Sequence, residues 1–257
     1  MGAVSGVQNK AIRCFLGVHS FAPIPALQSE MGWTPSKFRK YINVIRYWNK
    51  LIKMSDDRLP KVIFKYSYNL GNNRWCNKIK SILQLANLDH LYTNKQICNL
   101  VTLENNLKSV IQSNWERQLD NKPKLRTFKL FKLTYCTSNY IHEISNRYCR
   151  SLIAKLRMGI LQLHIETGRF NNTKLENRTC LMCNDNSIED EIHFICLCSK
   201  YNSLRSDLFR KASSKNTDFI NLPSKSKFIY LMKDCCREVA IFVKRAWEVR
   251  KKHLHRV

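Results

Sequence analysis

Residues 178–201 read RTCLMCNDNSIEDEIHFICLCSKY. Within them Cys180 and Cys183 form a C-x2-C pair, His193 follows after nine residues, and Cys198 after four more. A C-x2-C pair offers two thiolates from one tight turn, and zinc takes four such soft or borderline donors in a tetrahedron. The spacing predicts one closed zinc site with Cys180, Cys183, His193 and Cys198 as ligands. Four protein ligands leave no position open, so the site is read as structural and not catalytic. Cys196 is a spare thiol that competes with Cys198, and the longer loop to Cys198 is preferred. Glu189, Asp190 and Glu191 stand just ahead of His193, either to cap a helix start or to orient the imidazole.

Outward from this knot the chain reads as helical. It has only seven glycines and six prolines, too few for the tight hairpins of a sandwich or barrel. A first helix is expected from about Val7 to just before His19. A second is expected with Thr34 as N-cap and Pro35 at its first position, where a missing N–H costs nothing. Its apolar stripe is Phe38, Tyr41, Ile42, Ile45, Asn49 and Ile52. Further helices are expected near 57–69 and 73–87, separated by a left-handed Gly71, and over 94–120, where Asn121, Lys122 and Pro123 break the pattern. A short basic helix follows around Leu125–Leu133. Cys149, Leu152, Ile153, Leu156 and Ile160 form a stripe at helical spacing. Gly159 and Gly168 bracket an extended segment, Ile160–Thr167. A helix from Lys200 to Ala212, a polar linker with Pro223, and a long helix from about Cys235 into the basic cluster Arg250–Arg256 complete the chain. The expected fold class is mainly α: a multi-helix basic domain, a small CCHC zinc knot and a C-terminal helical extension. The expected divisions are 1–122, 123–201 and 202–257.

Forty-four Lys and Arg oppose nineteen Asp and Glu, a formal charge of +25. Such an excess costs self-repulsion and points to a polyanionic partner, RNA or DNA. Solubility alone needs a charge of only about 2–8. An anionic membrane is the weaker alternative, since no apolar run approaches the roughly 18 residues of a span. Eleven cysteines, an odd number with no leader-type apolar segment before them, imply a reducing nuclear or cytoplasmic compartment. The seven outside the knot are read mostly as small buried hydrophobes. Arg147, Arg150 and Arg157 fall together beside the 147–160 stripe. With Arg169 and Arg178 they are the candidate nucleic-acid surface. The competing reading is that they pair with Glu143, Glu166 or Glu176.

Two enzyme signatures are weaker. Met54-Ser55-Asp56-Asp57 resembles a polymerase palm motif, but no strand alternation flanks it, and Asp56 or Asp57 is better read as a helix cap. His164-x-Glu166 ahead of Cys180-x2-Cys183 resembles a zinc deaminase. Thr179 stands where that signature has Pro, and His193 and Cys198 are left without a role. Glu166 is better read as an ion-pair partner for a nearby Arg. No small-molecule substrate is expected.

Four segments in one order carry a family resemblance: AIRCFLGVHSFAPIPALQSEMGWTPSKFRKYINVIRYWNKLIKMSDDRL (11–59), KPKLRTFKLFK (122–132), RSLIAKLRMGILQLHIETGRF (150–170) and the zinc stretch 178–201. Together they resemble the region after the polymerase domain in the second-open-reading-frame polyproteins of non-LTR retrotransposons, the LINE-like elements. Gln162 and Ser199 depart from the family pattern, where Pro is expected. The resemblance implies the same four ligands in the CCHC motif that ends these polyproteins, with residues 1–122 corresponding to a thumb-adjacent, linker-like region. The palm and endonuclease of such polyproteins lie upstream of the matched region, so it implies a non-catalytic fragment. Within the whole polyprotein that fragment would hold template RNA and target DNA for target-primed reverse transcription. The alternative is a domesticated, stand-alone nucleic-acid-binding regulator; a zinc-dependent deaminase is a third reading.

Overall fold

The structure is a computed structural model and describes residues 3–71 and 73–254. It is mainly helical, and the described residues contain no strand, only isolated antiparallel bridges such as Thr179 with Ile188. In chain order the helices are α1 (Ala3–Leu16), α2 (Ile24–Met31), α3 (Ser36–Lys53), α4 (Leu59–Asn69), α5 (Arg74–Leu85), α6 (Asp89–Thr93) and α7 (Leu100–Asp120). After these come α8 (Phe128–Phe131), α9 (Tyr140–Glu143), α10 (Arg147–Arg157), α11 (His164–Phe170), α12 (Asn202–Lys215), α13 (Ser224–Asp234) and α14 (Cys236–Leu254). Two compact units result, residues 1–8 with 33–118 and residues 9–32 with 119–257.

The first unit is organised by α3. Its buried line is Phe38, Tyr41, Ile45, Trp48 and Leu51, rotated slightly from the expected stripe. The rotation has a cause in hydrogen bonding. Trp48 stacks on Tyr92 at 5.7 Å and meets Phe64 edge-on at 5.4 Å, while its indole N–H donates to the Gln96 carbonyl. Asn49 then sits at the flank, where its side chain donates to the Cys98 carbonyl at 2.7 Å and accepts from the Cys98 N–H at 2.9 Å. This clasp holds residues 96–99 out of helix, so α7 begins at Leu100 and not at 94. Pro35, not Thr34, is the residue preceding α3. Asn73 caps α5, its side-chain oxygen accepting from Trp75 and Cys76, and Gly71 takes the expected left-handed conformation, φ 67°. Asp56 and Asp57 cap nothing. Arg58 precedes α4 without a side-chain cap, and Asp56 instead pairs with Lys65 at 2.8 Å on the surface.

In the second unit α10 packs on α14, which also lies against α12 and α13. Leu152, Ile153 and Leu156 of α10 are buried, as are Val239, Phe242, Val243 and Ala246 of α14. Residues 202–254 are therefore no separate extension. They close over the same core as 123–201, so the expected division at residue 202 is replaced by one unit. Of the segment expected to be extended, Ile160–Thr167, residues 164–167 belong to helix α11, in which the Arg178 side chain covers Gly168 where a Cβ would collide. α2, α6, α9 and α13 are elements the periodicity did not predict. The end of the basic cluster, His255 and Arg256, lies outside the described residues.

Candidate metal centre

Residues 178–189 fold back on themselves. The Cys180 N–H donates to the Ser187 carbonyl and the Glu189 N–H to the Arg178 carbonyl, both at 2.9 Å. This loop presents the C-x2-C pair. The other two ligands come from a π-helical turn, His193–Leu197, in which the Cys198 N–H reaches the His193 carbonyl at 2.8 Å. Residues five apart on an α-helix point about 140° apart at 3.6 residues per turn. The wider π turn reduces that offset and helps a five-residue spacing converge.

The outcome is a group that could hold a metal ion. One ligand atom from each of Cys180, Cys183, His193 and Cys198 lies within 4.8 Å of every other. Cys180 Sγ is 3.8 Å from Cys198 Sγ, and Cys183 Sγ is 3.4 Å from His193 Nε2. Cys196, two residues away, is buried outside the group, its thiol pushed up to about 12 by burial. The hydrogen bond to Cys198 and burial push Cys180 up to about 12, and the same bond holds Cys198 below the ordinary thiol range. Burial raises Cys183, and the hydrogen bond with Cys180 raises His193.

The three acids ahead of His193 divide their labour. Asp190 caps the turn, accepting from the His193 backbone N–H at 2.7 Å, so the capping role is the one found for it. Glu191 pairs with Arg126 at 2.8 Å. Glu189 is fully buried beside the thiols: it accepts from Cys180 Sγ at 3.5 Å and the His164 N–H at 2.6 Å, and forms a two-pronged pair with Arg250 of α14. Arg205 of α12 donates to the carbonyls of Ile195 at 2.9 Å and Cys198 at 2.5 Å. Arg205 and Arg250 thus clamp the ligand loop. Neither was expected to, because their partners lie in other segments and charge spacing along one helix carries no trace of them.

His164 and Glu166 are not among the four residues of the ligand group. The imidazole Nδ1 of His164 lies 2.7 Å from the Thr179 carbonyl, and Glu166 pairs with Lys124 and with Arg169. That ion pair is the role the sequence favoured for Glu166.

Of the five arginines expected at the nucleic-acid surface, one is buried. Arg157 does not project outward. It is buried, 4% exposed, with Nε 3.0 Å from Glu30 and its guanidinium 4.4 Å from the Phe131 ring centre. The error came from assuming that only the apolar stripe of α10 is covered, whereas Ser151, Ala154 and Arg157 are buried as well. Arg178 donates to the carbonyls of Thr173 and Ile165. Arg150 lies 4.2 Å over the Phe15 ring and donates to the Ile144 carbonyl at 3.0 Å. Arg147 and Arg169 are exposed, although each also has one partner, the Cys14 carbonyl and Glu166. Of the seven cysteines outside the knot, Cys76, Cys98, Cys235 and Cys236 are buried, Cys149 is half-buried, and Cys14 and Cys136 are exposed. No helix among the described residues is long and apolar enough to cross a membrane. No protein-family model, no curated protein and no solved structure matches the chain.

Proposed function

We propose that the chain is a non-catalytic nucleic-acid-binding module whose second unit is locked by one structural zinc ion. Its charge distribution carries the reading. Residues 1–8 and 33–118 hold fifteen Lys and Arg against five Asp and Glu, and the remainder twenty-nine against fourteen. Both units are therefore strongly basic. In the second, four of the acids (Glu30, Glu166, Glu189 and Glu191) are buried, each against a cation. They add nothing to the surface, where the positive excess remains to meet phosphates.

Zinc suits the donor set. Bonds of about 2.3 Å to sulfur and about 2.0 Å to nitrogen require tetrahedral edges of about 3.8 Å and 3.5 Å, against the 3.8 Å and 3.4 Å separations in the group. Binding would displace the protons that Cys180 and Cys183 hold firmly, coupling metal uptake to proton release. With four protein ligands the ion stabilises and does not catalyse. In this reading the module corresponds to the post-polymerase region of a non-LTR retrotransposon polyprotein and holds template RNA and target DNA. The test is the anisotropy of a labelled RNA strand and a labelled DNA duplex, measured from low to physiological salt. Affinity should fall by about a thousandfold or more as counterion release is suppressed. An affinity indifferent to salt, or no binding at low salt, overturns the reading.

A further inference from the structure

A concave pocket of about 470 Å³ opens in the second unit, away from the metal centre. Its walls come from three distant segments: the turn after α1 (Gly17, His19), α10 with the residues that follow it (Tyr148, Lys155, Leu161) and α14 (Trp247, Lys251). The turn is drawn close by Gly17, φ 63°, whose missing Cβ would meet Ser151 Cβ at 2.9 Å, and by the Ser151 hydroxyl, which donates to the Gly17 carbonyl at 2.7 Å. The pocket has the size of small-molecule sites.

Its charge is unbalanced. Lys155, Lys251 and His19 line it, and no acid does. Neither lysine has an ion-pair partner among the described residues. Glu166, the acid that His19 feels, is already shared by Lys124 and Arg169. Lys155, part-buried, has its pKa lowered by burial and then by the like charge of Lys251. His19 accepts the Phe21 N–H on Nδ1 at 3.1 Å, so a neutral ring carries its proton on Nε2 as a donor. Three cationic or donor groups without a counter-charge call for an anion. Trp247 and Tyr148 on the walls supply flat apolar surface of the kind on which bases stack.

We propose that this pocket binds a single nucleotide unit, its phosphate held between Lys155 and Lys251 and its base laid against Trp247. The proposal rests on the nucleic-acid reading only for choosing a nucleotide over a simple anion. The full chain is titrated with adenosine monophosphate, inorganic pyrophosphate and adenosine. Tryptophan quenching is compared with a Trp247→Phe variant, alongside thermal melting. Adenosine monophosphate should bind, quench Trp247 and raise the melting temperature. Pyrophosphate should bind more weakly and without quenching, and adenosine weakest of all. Lys155→Gln should weaken adenosine monophosphate by about tenfold or more, the scale of one lost charged contact. It should not lower the melting temperature, because it removes a repulsion; Lys251→Gln, on the exposed side of α14, is the second variant. Adenosine binding as well as its monophosphate overturns the phosphate contact, and pyrophosphate binding as tightly overturns the base contact. Failure of all three to bind, or a Lys155→Gln variant that melts early yet binds undiminished, overturns the pocket. Salt-dependent strand binding with no monophosphate binding sinks only this inference. The reverse result sinks only the broader reading.

Discussion

Replacing Arg157 with Met tests the internal electrostatics of the second unit and its separation from any nucleic-acid surface. The guanidinium is held on every side: Nε by Glu30 at 3.0 Å, Nη1 by the Met232 carbonyl and by Cys236 Sγ at 3.6 Å, and Nη2 by the Ser138 hydroxyl at 3.4 Å. Phe131 and Tyr140 sandwich it at 4.4 and 5.1 Å. Glu30 is fully buried. Methionine fills much of the volume but leaves that carboxylate without its ion-pair partner, a loss of about 3–5 kcal/mol when one partner of a buried pair is removed. For a unit of this size each kcal/mol moves the midpoint by about 2–4 °C, so a drop of about 6–20 °C is expected. Changing Glu30 to Met as well removes the stranded charge and should recover most of the loss, since apolar replacement of a whole buried pair is often near neutral. Calorimetry reads both variants, and anisotropy at low temperature reads binding, which should stay at the parent value. An Arg157→Met protein that melts with the parent and binds nucleic acid at least about tenfold more weakly would refute the buried assignment.

Three further outcomes are expected. Natively purified protein should carry one zinc per chain. Cys183→Ser should abolish it, withdrawing about 10–16 kcal/mol of coupled binding energy. Because Arg250 and Arg205 tie α14 and α12 to the ligand loop, helix should be lost well beyond residues 178–201; metal analysis finding no zinc in the parent, or circular dichroism showing a change confined to that loop, counts against this. Gly32→Ala should cost about 2 kcal/mol or more in urea unfolding, because φ is 61° and a Cβ would lie 2.3 Å from the Thr137 backbone N; unchanged stability would show that the turn is misplaced. His19 should titrate below its usual 6.5, burial and then Lys124 being the main causes. A histidine lowered on folding sheds its proton there, so its contribution to stability is complete above about 6.5 and is lost as pH falls through the lowered value. An NMR midpoint at or above 6.5, or one unmoved by Lys155→Gln, would contradict the crowding of cations around it.

How far the fold was legible depended on the range of the interaction concerned. The ligand spacing was readable because a metal needs four donors at one point, and all four fall within nineteen residues of chain. Preference for Cys198 over Cys196 rested on loop length, and the π turn at His193–Leu197 is the physical means by which the longer spacing converges. Helices α3, α5, α10 and α14 were legible from apolar periodicity, which is a local consequence of burying one face. The short helices α6 and α9 have too few residues to show a period.

The sequence by itself determined a helical chain, a Cys/His group that could hold a metal ion and a strongly basic surface, since each follows from spacing or composition alone. Only the tertiary structure decided which charges reach that surface. Periodicity reveals one buried stripe of a helix but not how many neighbours surround it, so Arg157 looked exposed and is not. Pairs such as Glu30 with Arg157 and Glu189 with Arg250 join residues 127 and 61 positions apart. No local pattern marks such partners, because burial makes an ion pair obligatory only after the chain has brought its ends together. For the same reason the C-terminal helix, read as an extension, is part of the wall that holds the metal loop, and the pocket of His19, Lys155 and Lys251 exists only once three separate segments have packed.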